Sequence, residues 1–166
     1  MGDDFIQQFH FERKNEYKIF KKTFFFHLWI IFGFGYYLIT KELLGLYLGF
    51  GFLIITIPQI FLHIQYKMID RNKTIIVNHS KKTISVLKEG IIEKEFQFSD
   101  INKLIRSKGQ KNEDNMTYAL PTFLYNYTEI ILKSGERICY TDFIAKNIGL
   151  KNIETVERNS LLNFIV

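Results

Sequence analysis

The sequence predicts an α+β membrane protein in which a hairpin of two apolar helices precedes an antiparallel β-domain with a C-terminal helix. Three observations predict this fold class. Residues 23–64 are almost free of charge. The hydrophobic period then changes from helical to alternating at Thr74, and apolar residues near the end of the chain return to helical spacing. With 166 residues, the chain has room for one modest domain and a membrane segment.

Residues 1–22 are predicted to form an amphipathic lead-in. Phe9 and Phe11 alternate with polar residues, whereas Tyr17, Phe20 and Phe24 follow helical spacing. We therefore expect an interfacial helix start that leads into the first membrane span. The lysines of this segment are expected to lay their stems on apolar surface and extend their charges to the lipid headgroups.

Residues 23–66 are predicted to form a transmembrane hairpin with spans of about 23–40 and 43–65. At 1.5 Å per residue their uncharged stretches, 23–39 and 43–64, measure about 26 Å and about 33 Å, close to the roughly 30 Å of a hydrocarbon core. The connection at Lys41 and Glu42 is so short that the helices must be antiparallel neighbours. A soluble remainder of this size would not cover two helices that are apolar on all faces.

Positive charges lie on both sides of the hairpin, while the turn has only Lys41, which Glu42 offsets. The positive-inside rule therefore predicts a multi-pass protein with both termini in the cytoplasm. The cations that follow the second span are also the predicted headgroup contacts, because each basic residue near an anionic surface contributes about 1 kcal/mol. These contacts are Lys67, Arg71, Lys73, Lys81 and Lys82.

Four residues of the hairpin are candidates for a specific role. Gly45 and Gly49 form a small-xxx-small pair that predicts close helix packing, within the hairpin or between copies, which leaves a homo-oligomer open. His27 and His63 are ionisable groups near the cytoplasmic ends of the two spans. Neither span supplies an acidic third member for a metal or proton site, so interface histidines are the preferred interpretation.

From Thr74 onward, two-residue alternation predicts an antiparallel meander of about six or seven short strands. Gly90 supplies a tight turn before IIEKEFQF, in which Ile92, Phe96 and Phe98 are expected to share one face. Later strands are predicted from Ile101, over 118–120, in YNYTEIIL and in RICYT. A helix over 152–165 is predicted from the spacing of Ile153, Val156, Leu161, Phe164 and Ile165.

The stretch EGIIEKEFQFSDINKL and the hairpin TEIILKSGERICYT resemble bacterial pleckstrin-homology-like domains. Small bacterial membrane proteins of this type place two spans before such a domain, as this chain does. The resemblance implies a partly open, seven-stranded barrel over residues 70–166, capped by the C-terminal helix, on the cytoplasmic face of a bacterial inner membrane. Related eukaryotic domains bind phosphoinositides through basic residues of the first strands. Lys73, Lys81 and Lys82 fall there, but Ser85 and Leu87 replace a second cationic pair.

The residues suggest no catalytic constellation, and we predict no catalytic residue, metal or cofactor. Cys139, the single cysteine, lies in an apolar alternating run and is predicted to be a buried thiol. The net charge is +5, but the cations form no dense block. A nucleic-acid partner is therefore not predicted, and the charge suits a lipid bilayer.

An aromatic cluster around Pro121 is the candidate patch for a protein partner. Its members are Tyr118, Phe123, Tyr125 and Tyr127. The alternative is that the C-terminal helix covers these rings, in which case they belong to the core.

Three functional hypotheses follow from the sequence. The leading one is a non-enzymatic, membrane-anchored module that binds a membrane or cytoplasmic protein partner, or lipid headgroups, at the cytoplasmic face. The second is a membrane-embedded enzyme or transporter subunit that uses His27 and His63. The third is an immunity or stress-response partner of another membrane protein, which sequence alone does not separate from the first.

Overall fold

A computed structural model describes residues 5–109, 121–150, 153–160 and 163–165. The described chain contains one strand, two long helices and then further strands. In chain order these elements are β1 (Ile6–His10), α1 (Arg13–Thr40), α2 (Leu43–Asp70), β2 (Lys73–Asn78), β3 (Thr83–Lys88), β4 (Ile91–Gln97), β5 (Ile101–Gly109), β6 (Tyr127–Leu132), β7 (Arg137–Thr141) and β8 (Thr155–Ser160).

The turn between α1 and α2 is tight. Lys41 takes the left-handed conformation with φ 62°, and its N–H donates a hydrogen bond of 2.8 Å to the carbonyl of Tyr37. The hydroxyl of Tyr36 donates to Oε2 of Glu42 at 2.7 Å. These bonds end one helix and begin the next, so that α2 returns directly along α1.

Glycine lets the two helix backbones touch. A Cβ at Gly33 would lie 2.5 Å from the backbone nitrogen of Gly49, and one at Gly45 would lie 2.7 Å from the carbonyl oxygen of Gly33. Further down, the side-chain amide of Gln59 donates to Oγ1 of Thr23 at 2.8 Å. Gly45 and Gly49 therefore lie at the contact between the two helices of one chain.

The strands of the described residues form two four-stranded sheets. The first is antiparallel in the order β1-β2-β3-β4, and the second has the order β7-β6-β5-β8, with β8 parallel to β5. Apolar side chains of both sheets meet in one core that includes Ile75, Val77, Ile84, Val86, Phe96, Leu104, Ile130 and Tyr140.

The first strand joins both ends of the helical hairpin to one sheet. β1 precedes α1, β2 follows α2, and the two strands pair in register from Ile6 opposite Asn78 to His10 opposite Thr74. Within the predicted lead-in, residues 6–10 are an edge strand of the β-domain, and the helix begins at Arg13. The short Phe9–Phe11 alternation was the signal for this strand.

The predicted C-terminal helix over 152–165 is wrong, because residues 155–160 form a strand. This segment, TVERNS, has one strongly apolar residue, and the free edge of β5 offers it a full set of backbone partners. The segment after β7 contributes Ile144, Ala145, Ile148 and Leu150 to the core between the sheets.

The predicted apolar face of β4 is only partly correct. Phe96 is buried in the core, but Ile92 is 57% exposed. The pairing of β3 with β4 shifts between Val86 and Leu87. Val86 pairs with Lys94 and Leu87 with Ile92, so β4 has one extra residue between these pairs. The extra residue puts Ile92 on the face opposite to Phe96, and Ile92 points outward.

Candidate binding site at the junction of helices and sheets

The last turns of α2 pack on the β-domain through a buried aromatic cluster. The cluster comprises Leu62, Tyr66, Tyr125, Tyr127 and Phe143. The rings of Tyr66 and Tyr125 meet edge-on at 5.4 Å between centroids. Such contacts contribute beyond the area they bury, so the hairpin and the sheets share a second core.

Two members of the predicted partner patch lie in this cluster. Tyr125 and Tyr127 are buried against α2 and present no ring to a partner. Phe123 is half-buried, and Tyr118 lies outside the described residues. Two of the four rings are therefore covered, and α2 covers them in place of the predicted C-terminal helix.

A polar network lies beside this core and is centred on His63. Its Nδ1 is 3.0 Å from the hydroxyl of Tyr125, and its Nε2 is 3.1 Å from Oε1 of Glu16. Lys67 donates to the same Glu16 oxygen at 2.7 Å. Sequence reasoning missed Glu16 because it sought an acidic partner only inside the spans. The helix register supplies it from the segment before the first span.

The structure does not bring the two histidines together. Nδ1 of His27 lies 3.0 Å from the carbonyl of Thr23 on its own helix, and its ring is 5.7 Å from that of Phe20. The pairing of Gly33 with Gly49 places His27 opposite residue 55 or so, which is about 12 Å from His63 along the hairpin. A joint site of both histidines has no support in this geometry.

A cavity of about 550 Å³ opens between the beginning of α1 and the segments on either side of β6 and β7. Lysines and small amides line its rim, and apolar side chains line its wall. The lining residues are Asn15, Lys18, Ile19, Lys21, Lys22, Phe123, Leu124, Asn126, Asp142 and Lys146.

We call this cavity the junction cavity. A buried carboxyl group is part of its lining. Asp142 is 8% exposed. Asn126 donates to its Oδ2 at 3.0 Å, and Nη2 of Arg106 lies 3.4 Å from its Oδ1. Burial raises the pKa of Asp142 above its usual range. Arg106 also donates to the carbonyl of Lys146, which fixes the segment after β7 at the cavity.

The rim of the junction cavity is cationic. Lys18, Lys21 and Lys22 come from one face of α1 because residues three and four apart are neighbours on a helix. Lys146 approaches from the β-domain, and all four side chains are exposed. Four lysines and one carboxyl group, which Asn126 and Arg106 already bond, give this cavity a positively charged lining beside apolar surface.

The five predicted headgroup contacts do not form one site. Lys67 is paired with Glu16, and Nζ of Lys73 donates to the carbonyl of Cys139 at 2.7 Å. Lys81 and Lys82 lie in the turn at the far end of β2, about 20 Å from α2 along an extended strand. Arg71 is exposed at the end of α2.

From the sequence, the lysines of α1 are predicted only to extend their charges to the lipid headgroups. Their spacing is visible there, but Lys146 reaches them through tertiary structure alone.

Two further groups bear on chemistry. Cys139 is partly buried, and burial raises the pKa of its thiol to about 12, which leaves it protonated at neutral pH. Among the described residues, no group of three or more His, Cys, Asp or Glu side chains is placed to hold a metal ion.

Two packed β-sheets with a helical hairpin between their first and second strands define a PH-like fold with a helical insertion. The family model described as PH domain matches residues 7–153, so the chain belongs to this family. The match includes β1 and both helices. It ends before β8, which begins at Thr155. No curated protein and no solved structure matches the chain significantly.

The family and the fold confirm the predicted α+β class and the predicted PH-like domain. PH-like domains are typically binding modules without catalytic activity. α1 and α2 are both long and apolar enough to cross a bilayer, judged by length and composition.

Proposed function

We propose that this protein is a non-enzymatic, membrane-anchored PH-domain module that binds an anionic lipid headgroup of the cytoplasmic leaflet in the junction cavity. The observation that carries the proposal is the ring of Lys18, Lys21, Lys22 and Lys146 around a cavity with an apolar wall. Anchor and binding site are then parts of one unit.

Anchoring is supported by the surface of the hairpin. Between Phe24 and Ile64 the two helices expose many large apolar side chains. Contact of so large an apolar area with water is unfavourable. Because β1 and β2 pair, the chain enters and leaves the hairpin on the same side. The flanking lysines and arginines favour the cytoplasm for that side.

The position of the junction cavity relative to the bilayer follows from the register between α1 and α2. Thr23 is the first residue of the uncharged stretch in α1, and it is bonded to Gln59 of α2. The hydrocarbon layer would therefore begin close to Lys22. The cavity rim, one turn lower, then lies among the headgroups, where a phosphate would meet four ammonium groups.

The cavity wall suits the rest of such a lipid. Ile19, Phe123 and Leu124 give apolar surface beside the lysines, as the start of an acyl chain requires. Asp142 is already engaged by Asn126 and Arg106, so the lysines are the charges left to face the ligand.

Native mass spectrometry of the full chain in mild detergent tests this proposal. With phosphatidylglycerol or phosphatidylcholine added in equal amounts, we expect retained phosphatidylglycerol and little phosphatidylcholine. Lys18→Gln with Lys22→Gln should abolish the preference. The matched control, Lys81→Gln with Lys82→Gln, removes two charges far from the cavity and should keep it. Equal retention by both double variants would overturn the proposal.

Orientation is tested separately by reporter fusions in bacterial cells. Alkaline phosphatase joined after residue 166 should be inactive, because it folds only outside the cytoplasm. The same enzyme inserted between Lys41 and Glu42 should be active. An active C-terminal fusion would contradict the cytoplasmic assignment.

A further inference from the structure

The described sheets have four outer strands, β1, β4, β7 and β8, and two of these are protected by charge. β4 carries Glu93, Lys94 and Glu95 in succession, and its pairing with β3 includes an extra residue. β8 carries Glu157 next to Arg158. Charged side chains and extra residues at a sheet edge oppose the addition of a further strand. Neither of these edges is therefore suited to pairing with another chain.

The outer edge of β7 is protected by hydrogen bonds to side chains. Nζ of Lys73 donates to the carbonyl of Cys139 at 2.7 Å. The N–H of Thr141 donates to Oδ2 of Asp70 at 3.1 Å. Because these backbone groups are already bonded, an incoming strand would have to displace both side chains.

The outer edge of β1 has none of these protections within the part of the chain that the structure describes. Residues 5–11 read FIQQFHF and contain no Asp, Glu, Lys or Arg. β1 pairs with β2 without a register shift, and the side chains of Ile6, Gln8 and His10 are exposed. A flat and uncharged edge of this kind is a template for strand addition.

The hydrogen-bond pattern shows which backbone groups of β1 are free. The N–H of His79 donates to the carbonyl of Phe5 at 3.1 Å, so residues 5 and 79 form a hydrogen-bonded pair. In an antiparallel ladder such pairs alternate with pairs that do not bond each other. Gln7 and Phe9 therefore bond β2, while every second residue directs its N–H and C=O away from β2. These residues are Ile6, Gln8 and His10, and their backbone groups have no hydrogen-bond partner among the described residues.

We propose that the outer edge of β1 binds an extended, uncharged peptide segment of another protein, which joins the first sheet as an additional strand. Backbone hydrogen bonds supply affinity in this mode of recognition, and alternate side chains supply specificity. The edge has no charged side chain to neutralise a charged strand, so an uncharged segment is favoured. Phe5 and Ile6 are 59% and 54% exposed, and an apolar side chain of the partner would cover them.

Hydrogen exchange resolved to single amides tests this proposal on the full chain in mild detergent. The probe is the capped peptide TIIVN, which has the sequence of residues 74–78 and already matches β1 across its inner edge. Without the probe, the amides of Ile6, Gln8 and His10 should exchange fast, and those of Gln7 and Phe9 slowly. With the probe at ten times its Kd, exchange at the three outward amides should be about tenfold slower.

Two controls separate strand addition from general binding. The peptide TIEVN, with glutamate at its centre, should give little protection of the wild-type chain. Gln8→Pro removes an outward N–H and should abolish protection by TIIVN, while slow exchange at Gln7 and Phe9 shows that β1 still pairs with β2. Glu95→Pro removes an outward N–H from the protected edge of β4 and should leave the effect of TIIVN unchanged.

Several results would overturn the proposal. They are slow exchange at the outward amides of the chain alone, no protection by TIIVN, equal protection by TIEVN, and protection that persists in Gln8→Pro. Protection that rises with protein concentration in the absence of peptide would assign the edge to a second copy of this chain and would also overturn the proposal.

Discussion

The backbone N–H of Thr141 donates a hydrogen bond of 3.1 Å to Oδ2 of Asp70, which ties the end of β7 to the last residue of α2. The hydroxyl of Thr141 donates to the same oxygen. The other oxygen, Oδ1, is buried and has no hydrogen-bond partner among the described residues. Burial raises the pKa of Asp70 to about 6, although the Thr141 bonds and Lys73 act in the opposite direction.

The first prediction concerns the pH dependence of stability. Between its unfolded pKa of 3.8 and about 6, Asp70 binds a proton more readily in the folded chain. Below about pH 4, Asp70 therefore makes the fold more stable than it is at neutral pH. This stabilisation is lost as the pH rises through 6. The difference is about 3 kcal/mol, at 1.36 kcal/mol per pKa unit.

Asp70→Asn tests this dependence, because an amide oxygen still accepts both Thr141 bonds and never ionises. We expect the variant to be more stable than the wild type at pH 7 and about equally stable at pH 4, from thermal unfolding in detergent. Asp100→Asn, an exposed carboxylate, is the control and should leave the difference between the two pH values intact. A wild-type difference retained in Asp70→Asn would refute the assignment.

The second prediction concerns the helix contact. Gly33→Ala places a methyl group 2.5 Å from the backbone of Gly49, which does not yield as a side chain would. We expect a loss of about 1–3 kcal/mol from overpacking. Gly35→Ala has open space around its new methyl group and should be neutral or stabilising by up to about 1 kcal/mol. Denaturation of both purified variants measures the contrast, and equal effects would contradict the close contact.

The third prediction concerns the network at His63. Tyr125→Phe removes the hydroxyl 3.0 Å from Nδ1 and should cost about 1 kcal/mol. Tyr17→Phe, at an exposed position of α1, should cost nothing measurable. Combining Tyr125→Phe with Glu16→Gln in a double-mutant cycle should give a non-zero coupling energy, because both groups bond the same imidazole. Additive effects would show that His63 does not connect them.

The fourth prediction concerns the end of the chain. The side chain of Asn163 donates to the carbonyl of Tyr125 at 2.7 Å, and the hydroxyl of Tyr66 donates to the carbonyl of Asn163 at 2.9 Å. Asn163→Ala leaves a buried carbonyl unpaired and should cost about 1–3 kcal/mol. Asn159→Ala on exposed β8 should fall within about 0.5 kcal/mol of the wild type. Proteolysis of the C-terminus should accelerate only in Asn163→Ala.

The sequence predicted the elements whose signal is local. Two uncharged stretches separated by Lys41 and Glu42 indicated paired helices, and alternation from Thr74 to RICYT indicated the strands β2 to β7 and with them the PH-like domain. These patterns depend on burial within each segment, so periodicity is enough to find them.

Other features depend on a partner that lies far away in the chain. Residues 155–160, TVERNS, form β8 because β5 has a free edge, and the sequence of these six residues does not indicate that edge. Lys146 joins the lysines of α1 through the path of the chain after β7. Glu16 meets His63 through the register of the hairpin. In each case a contact between distant parts of the chain determines the structure, and the local sequence pattern does not indicate that contact.

The pairing of β1 with β2 also constrains how the protein is made. The ribosome releases β1 long before its partner strand, and the whole hairpin is synthesised in between. β1 and β2 meet in one compartment only if both helices have crossed the bilayer, or neither has. In the proposed anchoring, a chain with one helix inserted would leave the first sheet without its edge strand, and the unpaired edge of β2 would be open to pairing with other chains. The first sheet is thus complete only when the two helices insert together or not at all.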